Sequence, residues 1–240
     1  MVLAGEPDPG VGGGSVELLE TEHIAAVGAT GALSALAIWT ARMLPGDWVI
    51  AASRGLALLI LAAYASDHIA ALARDDWSPE RYLPFHLTDA VTIVCAVALW
   101  APRPLPVELA YFWGLTASLQ AVLTPDLGDG FPDLYFWTYF LTHSGAVVAA
   151  CLLVFGRRLL PRAGAVGRVL LATVAVAAMA AVANLLTGGN YMFLHEKPGS
   201  GSLLDLMGPW PWYILTAGVL ALAMFSALDA PFRRQRSGYR

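Results

Sequence analysis

Seven apolar runs alternate with short polar or proline-bearing segments along this chain. They cover approximately residues 24–43, 50–72, 84–101, 106–123, 134–156, 167–187 and 210–230. Each comes near the roughly 20 apolar residues that a helix needs to cross about 30 Å of hydrocarbon. The breaks are punctuated by Pro45-Gly46, Pro102-Arg103-Pro104, Pro125 and Pro161, residues that stop helices or turn the chain. The pattern predicts an all-α, polytopic membrane helical bundle of seven transmembrane helices over residues 21–232. A Gly- and acid-rich stretch, 1–20, is expected to be a disordered tail. Residues 233–240 read as a short basic tail.

Composition narrows the class. The chain is 58% hydrophobic and only 13% charged, against about 25% charged residues in ordinary soluble domains. The N-terminal stretch lacks the basic segment of a signal peptide, so the first helix is expected to serve as an uncleaved insertion signal. Basic residues set the expected orientation. With the N-terminus outside, the inner segments hold Arg42, Arg103, Arg157, Arg158, Arg162, Arg168, Arg233, Arg234, Arg236 and Arg240, and the outer ones only Arg74, Arg81 and Lys197. That is a positive-inside bias that places the C-terminus in the cytoplasm and the protein in the plasma membrane as a multi-pass protein. No basic patch points to nucleic acid. Cys95 and Cys151 lie inside apolar runs with no ligand spacing and read as packing residues. No metal or cofactor is expected. The spacing of Asp126, Asp129 and Asp133 does not fit an EF-hand. The lone lysine, Lys197, lies in an outer segment, which excludes a retinal Schiff base inside the bundle.

Polar residues inside the runs are the candidate chemistry, because ionisable groups in a bilayer are costly and face a protein interior or a wet cavity. At about 1.5 Å per residue, His86, Asp89, Gln120, His143 and Asn184 all fall toward the outer end, with Asp67 and His68 near it. Asn190 and Tyr191 follow the sixth run on the same side. This one-sided distribution predicts an outer-leaflet polar pocket. At 100° per residue, His86 and Asp89 share a helix face while Thr88 lies about 160° from His86. Asp89 is therefore expected to orient the His86 imidazole, and Thr88 to meet a base from another helix, with His143 the candidate. The same residues also admit a purely structural reading. His86 with Asp89 would be a satisfied polar pair, Thr88 a helix-backbone hydrogen bonder, and Gln120 and Asn184 interhelical glue. The sixth run, rich in small residues from Leu170 to Ala183, is expected to be central. Gly208-Pro209-Trp210-Pro211-Trp212-Tyr213, opening the seventh, reads as a headgroup-level aromatic belt.

Five ordered motifs carry a family likeness. They are Leu83-Pro84-Phe85-His86-Leu87-Thr88-Asp89; Tyr111-Phe112-Trp113-Gly114 with Leu119-Gln120-Ala121-Val122-Leu123-Thr124-Pro125-Asp126; His143; Asn184 with Asn190-Tyr191-Met192 and Lys197-Pro198; and Gly208 to Tyr213. Over roughly residues 80–232 the chain resembles the YwaF-like bacterial integral membrane family, related to the eukaryotic transmembrane protein 164 family. The resemblance implies lipid acyl transfer through a cysteine nucleophile and a histidine. A more distant group, the androgen-induced hydrolases, implies intramembrane ester hydrolysis by threonine and histidine. The resemblance implies Cys in many bacterial relatives where Thr88 stands here, and this motif holds no cysteine. The departure counts against a thiol mechanism and leaves a threonine mechanism, or no catalysis, open.

The leading expectation is a lipid acyl hydrolase or acyltransferase acting on membrane lipid. Thr88 would be the nucleophile and His143 its base, with Asp89 orienting His86. Gln120, Asn184, Asn190 and Tyr191 would bind substrate, the amides donating to the developing oxyanion. The alternatives are a non-catalytic protein that binds or transports lipid or a small solute, and a membrane scaffold. Against transport, the chain has no inverted repeat and no pair of Gly/Pro-broken helices.

Overall fold

The computed structural model describes residues 20–125, 127, 130–198 and 202–237. Residues 1–19 of the stretch expected to be disordered, Asp126 and Asp129, and residues 238–240 lie outside the described residues. Within them the chain is helical and has no strand: α1 (Thr21–Met43), α2 (Asp47–Ala73), α3 (Leu87–Trp100), α4 (Pro104–Trp113), α5 (Leu119–Leu123), α6 (Leu134–Cys151), α7 (Ala165–Thr187) and α8 (Trp212–Ser237). A π-turn, Gly114–Ser118, joins α4 to α5, and a second, Leu152–Gly156, extends α6. The described helices thus form seven rods that match the seven apolar runs. Five of them are long and apolar enough to cross a membrane: α1, α2, α6 with its π-turn, α7, and α8 to Arg234. The α4–α5 path is interrupted by its π-turn. The third rod is shorter than the run suggested, because Pro84 and Phe85 are not helical and α3 begins only at Leu87. At 14 residues it is about 21 Å long.

The central helix is not the alanine- and valine-rich one. α6 has 61% of its apolar window buried, whereas α7 has 22%. α7 presents Leu171, Val174, Val182, Leu185 and Leu186 outward and packs mainly along α8, α4 and the short 3-10 turn Tyr191–Phe193. Small size permits close approach, but a helix that is apolar all round satisfies lipid equally well. α6 takes the centre because its neighbours pack into specific gaps. It contacts α1, α2, α3 and α4. A methyl placed on Gly145 would collide with Ile60 Cγ2 of α2, and one on Gly114 would lie 3.0 Å from the Ala146 carbonyl oxygen. The main core gathers around these contacts, with Ile60, Val91, Leu99, Phe112, Trp113, Leu153 and Phe225 fully buried.

Polar groups bind the rods at several levels. His23 Nε2 of α1 donates to Val122 O (3.0 Å) and Thr30 Oγ1 to Ser144 Oγ of α6 (2.7 Å). Trp113 Nε1 donates to Thr173 Oγ1 of α7 (2.9 Å) and Tyr111 Oη to Leu228 O of α8 (3.2 Å). The Glu108 carboxylate, 1% exposed, accepts from Arg162 N and Nε and from Arg168 Nε and Nη2 at 2.8–3.0 Å. A buried charge is tolerated only when paired and hydrogen-bonded in this way, so Glu108 fixes the chain entering α7 against α4.

Two outcomes test this packing. Gly145→Ala is expected to cost about 1–3 kcal/mol through overpacking, and adding Ile60→Ala should recover part of that loss, a non-additivity read from unfolding in detergent. Glu108→Ala is expected to lower the unfolding midpoint more than any single arginine substitution in the cluster, since it releases both Arg162 and Arg168 at once.

Candidate functional site

The segment leading into α3 shapes the site. Chain entering a helix leaves its first N–H groups without intrahelical partners. Here Asp89 Oδ2 accepts the His86 backbone N–H (2.9 Å), the capping interaction that starts α3. His86 itself is the extended N-cap residue (φ −71°, ψ 149°), outside the helix. The 100° rule therefore does not apply to it, so helix periodicity gives no basis for the expected angle between His86 and Thr88. Asp89 holds the His86 main chain, not its imidazole. The ring is placed by a different contact, since His86 Nδ1 accepts from Met192 N–H (3.3 Å). The ring also packs against Tyr191 (5.1 Å between centroids) and Phe193 (5.9 Å). A ring nitrogen that accepts a hydrogen bond is unprotonated, so the proton of the neutral ring sits on Nε2.

Tyr191 and Asn184 set the level of this segment. Tyr191 Oη accepts from Leu83 N–H (2.9 Å) and donates to Pro79 O (2.6 Å). Asn184, buried at the end of α7, donates from Nδ2 to Tyr191 O (3.1 Å) and accepts from Tyr191 N–H (2.6 Å). Asn190 Nδ2 donates to Glu196 O, and its Oδ1 accepts from His195 and Glu196 N–H. A methyl on Gly189 would lie 2.5 Å from Glu80 O, so only glycine lets the two loops approach this closely. The aromatic group opening α8 is tied in as well, with Tyr213 Oη donating to Phe193 O and Trp210 Nε1 to Leu194 O. It clamps the loop that holds His86, a contact beyond the belt role expected of it.

Above this support lies a polar cavity of about 190 Å³. His86, Thr88, Asp89 and His143 all line it. The structure therefore brings the four residues singled out for chemistry into one chamber. α2 adds Tyr64, Asp67 and His68, the loop adds Arg81, Tyr82 and Leu83, and α6 adds Tyr139 and Thr142. Gln120, Asn184, Asn190 and Tyr191 do not line it. Gln120 Nε2 donates to Thr124 Oγ1 on an exposed face, and the other three are engaged in the supporting bonds above.

Within the chamber several polar groups are already committed. Thr92 Oγ1 donates to Thr88 O, Thr142 Oγ1 to Thr138 O, and Thr138 Oγ1 to Asp67 Oδ1. At the mouth, Arg81 is ion-paired with Asp76, which holds its guanidinium above the usual range. Burial is the main cause that raises the Tyr82 phenol above its ordinary value, helped by Tyr135 and Asp76. No hydrogen bond joins the Thr88 hydroxyl to His143 among the described residues. Beside the chamber an apolar groove of about 440 Å³ runs between Leu83–Phe85 and α7, lined by Ala178, Met179, Val182, Ala183, Leu186 and Thr187. Leu83 borders both spaces.

Sequence reasoning missed Tyr64, Tyr139 and Thr142, although a signal was present. Tyr64-x-x-Asp67-His68 and Tyr139-x-x-Thr142-His143 repeat one spacing on two helices. Residues four apart share a helix face, and each Tyr–His pair makes an edge-on ring contact, at 4.7 Å and 4.3 Å.

The chain belongs to the TMEM164 family, whose model matches residues 18–229. With its apolar helices it is a multi-pass membrane protein of that family. Comparison with curated proteins and with solved structures found no match.

Tyr191→Phe tests the support. It removes the donor to Pro79 O and the acceptor of Leu83 N–H, and is expected to cost about 1–3 kcal/mol. Asn190→Ala, which cuts only exposed bonds, should cost less, as read by thermal unfolding of the purified protein.

Proposed function

We propose that this seven-span protein is a lipid acyl hydrolase or acyltransferase of the plasma membrane, with its N-terminus and cavity on the outer side. The observation that carries the reading is that Thr88 and His143, from two different helices, line one small polar cavity beside an apolar groove. An acyl chain in the groove would bring its ester to the polar chamber at Leu83.

In the proposed reaction His143 takes the Thr88 hydroxyl proton while Oγ1 attacks the ester carbonyl carbon. A hydroxyl needs such a base, because it is a weak nucleophile at its free pKa. The tetrahedral oxyanion collapses, the alcohol leaves with the proton returned from His143, and an acyl-threonine remains. Water or an acceptor alcohol then gives up a proton to His143 and attacks the acyl carbonyl, and the second tetrahedral intermediate collapses with His143 returning that proton to Thr88 Oγ1 as it leaves. Donors aimed at the developing oxyanion contribute most to such a barrier. His86 suits this role better than that of base, because its Nδ1 already accepts from Met192 N–H and its proton is on Nε2. Tyr64, a cavity-lining phenol, is a second donor. Gln120, Asn184 and Asn190 play no direct part in this reading, and Tyr191 acts through the position of Leu83.

A second reading, a non-catalytic binding protein for lipid or a small solute, draws on the missing Thr88–His143 hydrogen bond. Such bonds are often long in unliganded enzymes and tighten in the substrate complex. Acyl-fluorophosphonate labelling of the purified protein separates the two. The enzyme reading expects labelling to fall by about 10³-fold or more in both Thr88→Ala and His143→Gln, since members of a catalytic pair fail together. Equal labelling of wild type and Thr88→Ala would remove Thr88 from the role.

A further inference from the structure

A second concavity lies at the other end of the bundle. Asp47, at the start of α2, is separated from Tyr64 of the polar cavity by about 25 Å of helix. There a pocket of about 360 Å³ is lined by Arg42, Gly46, Val49, Gly156, Arg157 and Arg158, among others. Three arginines from two separate turns, the α1–α2 turn and the end of α6, thus meet in one concavity. No carboxylate lines it. Among the described residues none of the three is in an ion pair. Arg42 Nε donates to Phe155 O (2.7 Å), and Arg157 Nη1 reaches Ser53 Oγ at 3.5 Å. These contacts hold the stems and leave guanidinium donors unspent. Like charges gathered without a counter-ion repel, so the arrangement calls for an anion.

Two further observations bear on which anion. The first N–H groups of α2 follow Gly46 at this pocket, and its N-cap makes no side-chain cap bond. Val49 N–H is bonded to Gly46 O (3.0 Å) and the first turn carries Asp47, so the helix start adds its dipole to the positive field of the arginines and the arginines carry the recognition. Trp39 and Trp48 are exposed near this end, and Arg54 lies over the Trp100 ring at 5.3 Å. Exposed tryptophans mark the headgroup level of a bilayer, the depth at which lipid phosphates lie. Guanidinium forks match phosphate oxygens in pairs.

We propose that Arg42, Arg157 and Arg158 form a binding site for a phosphate group, carried either by a lipid headgroup or by free phosphate. Arg158 is the informative position. It holds φ +58°, a left-handed conformation that disfavours side chains with a Cβ, and among the described residues its side chain makes no hydrogen bond. Asp75, Met192 and Phe193 share this left-handed backbone, so it is the place of Arg158 in the pocket wall that singles out its charge. The site does not depend on the chemistry proposed for the outer cavity.

The test uses the full-length protein, stripped of lipid. Native mass spectrometry would follow binding of dioleoylphosphatidylglycerol and of dioleoylglycerol, which lacks phosphate. Thermal unfolding with inorganic phosphate against chloride at equal ionic strength forms the second arm. The site expects phosphatidylglycerol binding at least fivefold above dioleoylglycerol. It expects a loss of at least fivefold in Arg158→Gly, a smaller loss in Arg158→Lys, which keeps the charge without the fork, and no change in Arg103→Gln, an arginine of the same end outside the pocket. Arg158→Gly should unfold at or above the wild-type midpoint, because glycine relieves the strained backbone, so its loss of binding is not a loss of fold. Stabilisation of wild type but not Arg158→Gly by inorganic phosphate, with lipid binding unchanged by the substitution, assigns the site to free phosphate. Equal binding of both lipids together with no phosphate stabilisation overturns the proposal. So does equal loss in Arg103→Gln and Arg158→Gly.

Discussion

The bond from the His86 backbone N–H to the Asp89 carboxylate is the contact on which the candidate site depends. It ends the loop carrying Arg81 to Phe85 at the extended His86 and begins α3. Chain in apolar surroundings cannot leave N–H groups to water, so the start of the helix has to be capped from within the protein. Asp89 does this locally, and its position then fixes where Thr88 and Thr92 fall around α3. The extended conformation of His86 turns its ring away from the helix toward Met192. A histidine one turn inside the helix would lie on a wall apart from Thr88. Just outside it, the two share a chamber.

The support around this cap is a second layer of the same logic. Asn184, Tyr191 and Gly189 spend their hydrogen bonds and their size on joining the end of α7 to the loop before α3. These residues line no part of the cavity, yet they determine the height of Leu83, which separates the polar chamber from the apolar groove. The phenol of Tyr191 bridges Pro79 and Leu83. The carbonyl and N–H of the same residue are held by Asn184. A substitution here would act on the site through position, without touching a reacting group.

Much of the fold was legible in the chain. Each apolar run became a helical rod because run length and proline punctuation are strong local signals. Which helix sits in the middle was not legible. Small residues in α7 and the notched face of α6 around Gly145 look alike in composition, and only the fit of Ile60 into that notch distinguishes them. At the site, a polar pocket drawing on Thr88, Asp89, His86 and His143 was expected and the four line one cavity, but the helical-wheel argument used to place His86 does not apply to it. A helical-wheel argument assumes the helix is already running, and Pro84 together with the Asp89 cap delays its start to Leu87. Gln120, Asn184 and Asn190 were grouped with the pocket by depth alone. Depth does not say which way a side chain faces: Gln120 and Asn190 find partners within a few residues, and Asn184 spends its amide on the main chain of Tyr191. The Tyr-x-x-x-His spacing shared by α2 and α6 was readable but carries meaning only once the two helices are known to face each other.

The central claim is that Thr88 carries an acyl group during turnover. Its most direct measurement is intact-protein and peptide mass spectrometry after acid quench of the purified protein mixed with a phospholipid. The account predicts an acyl-sized mass increase on the peptide bearing Thr88, formed in wild type and absent from His143→Gln. Release of fatty acid by wild type with the acyl group on another residue, or with no adduct and full activity in Thr88→Ala, would contradict it.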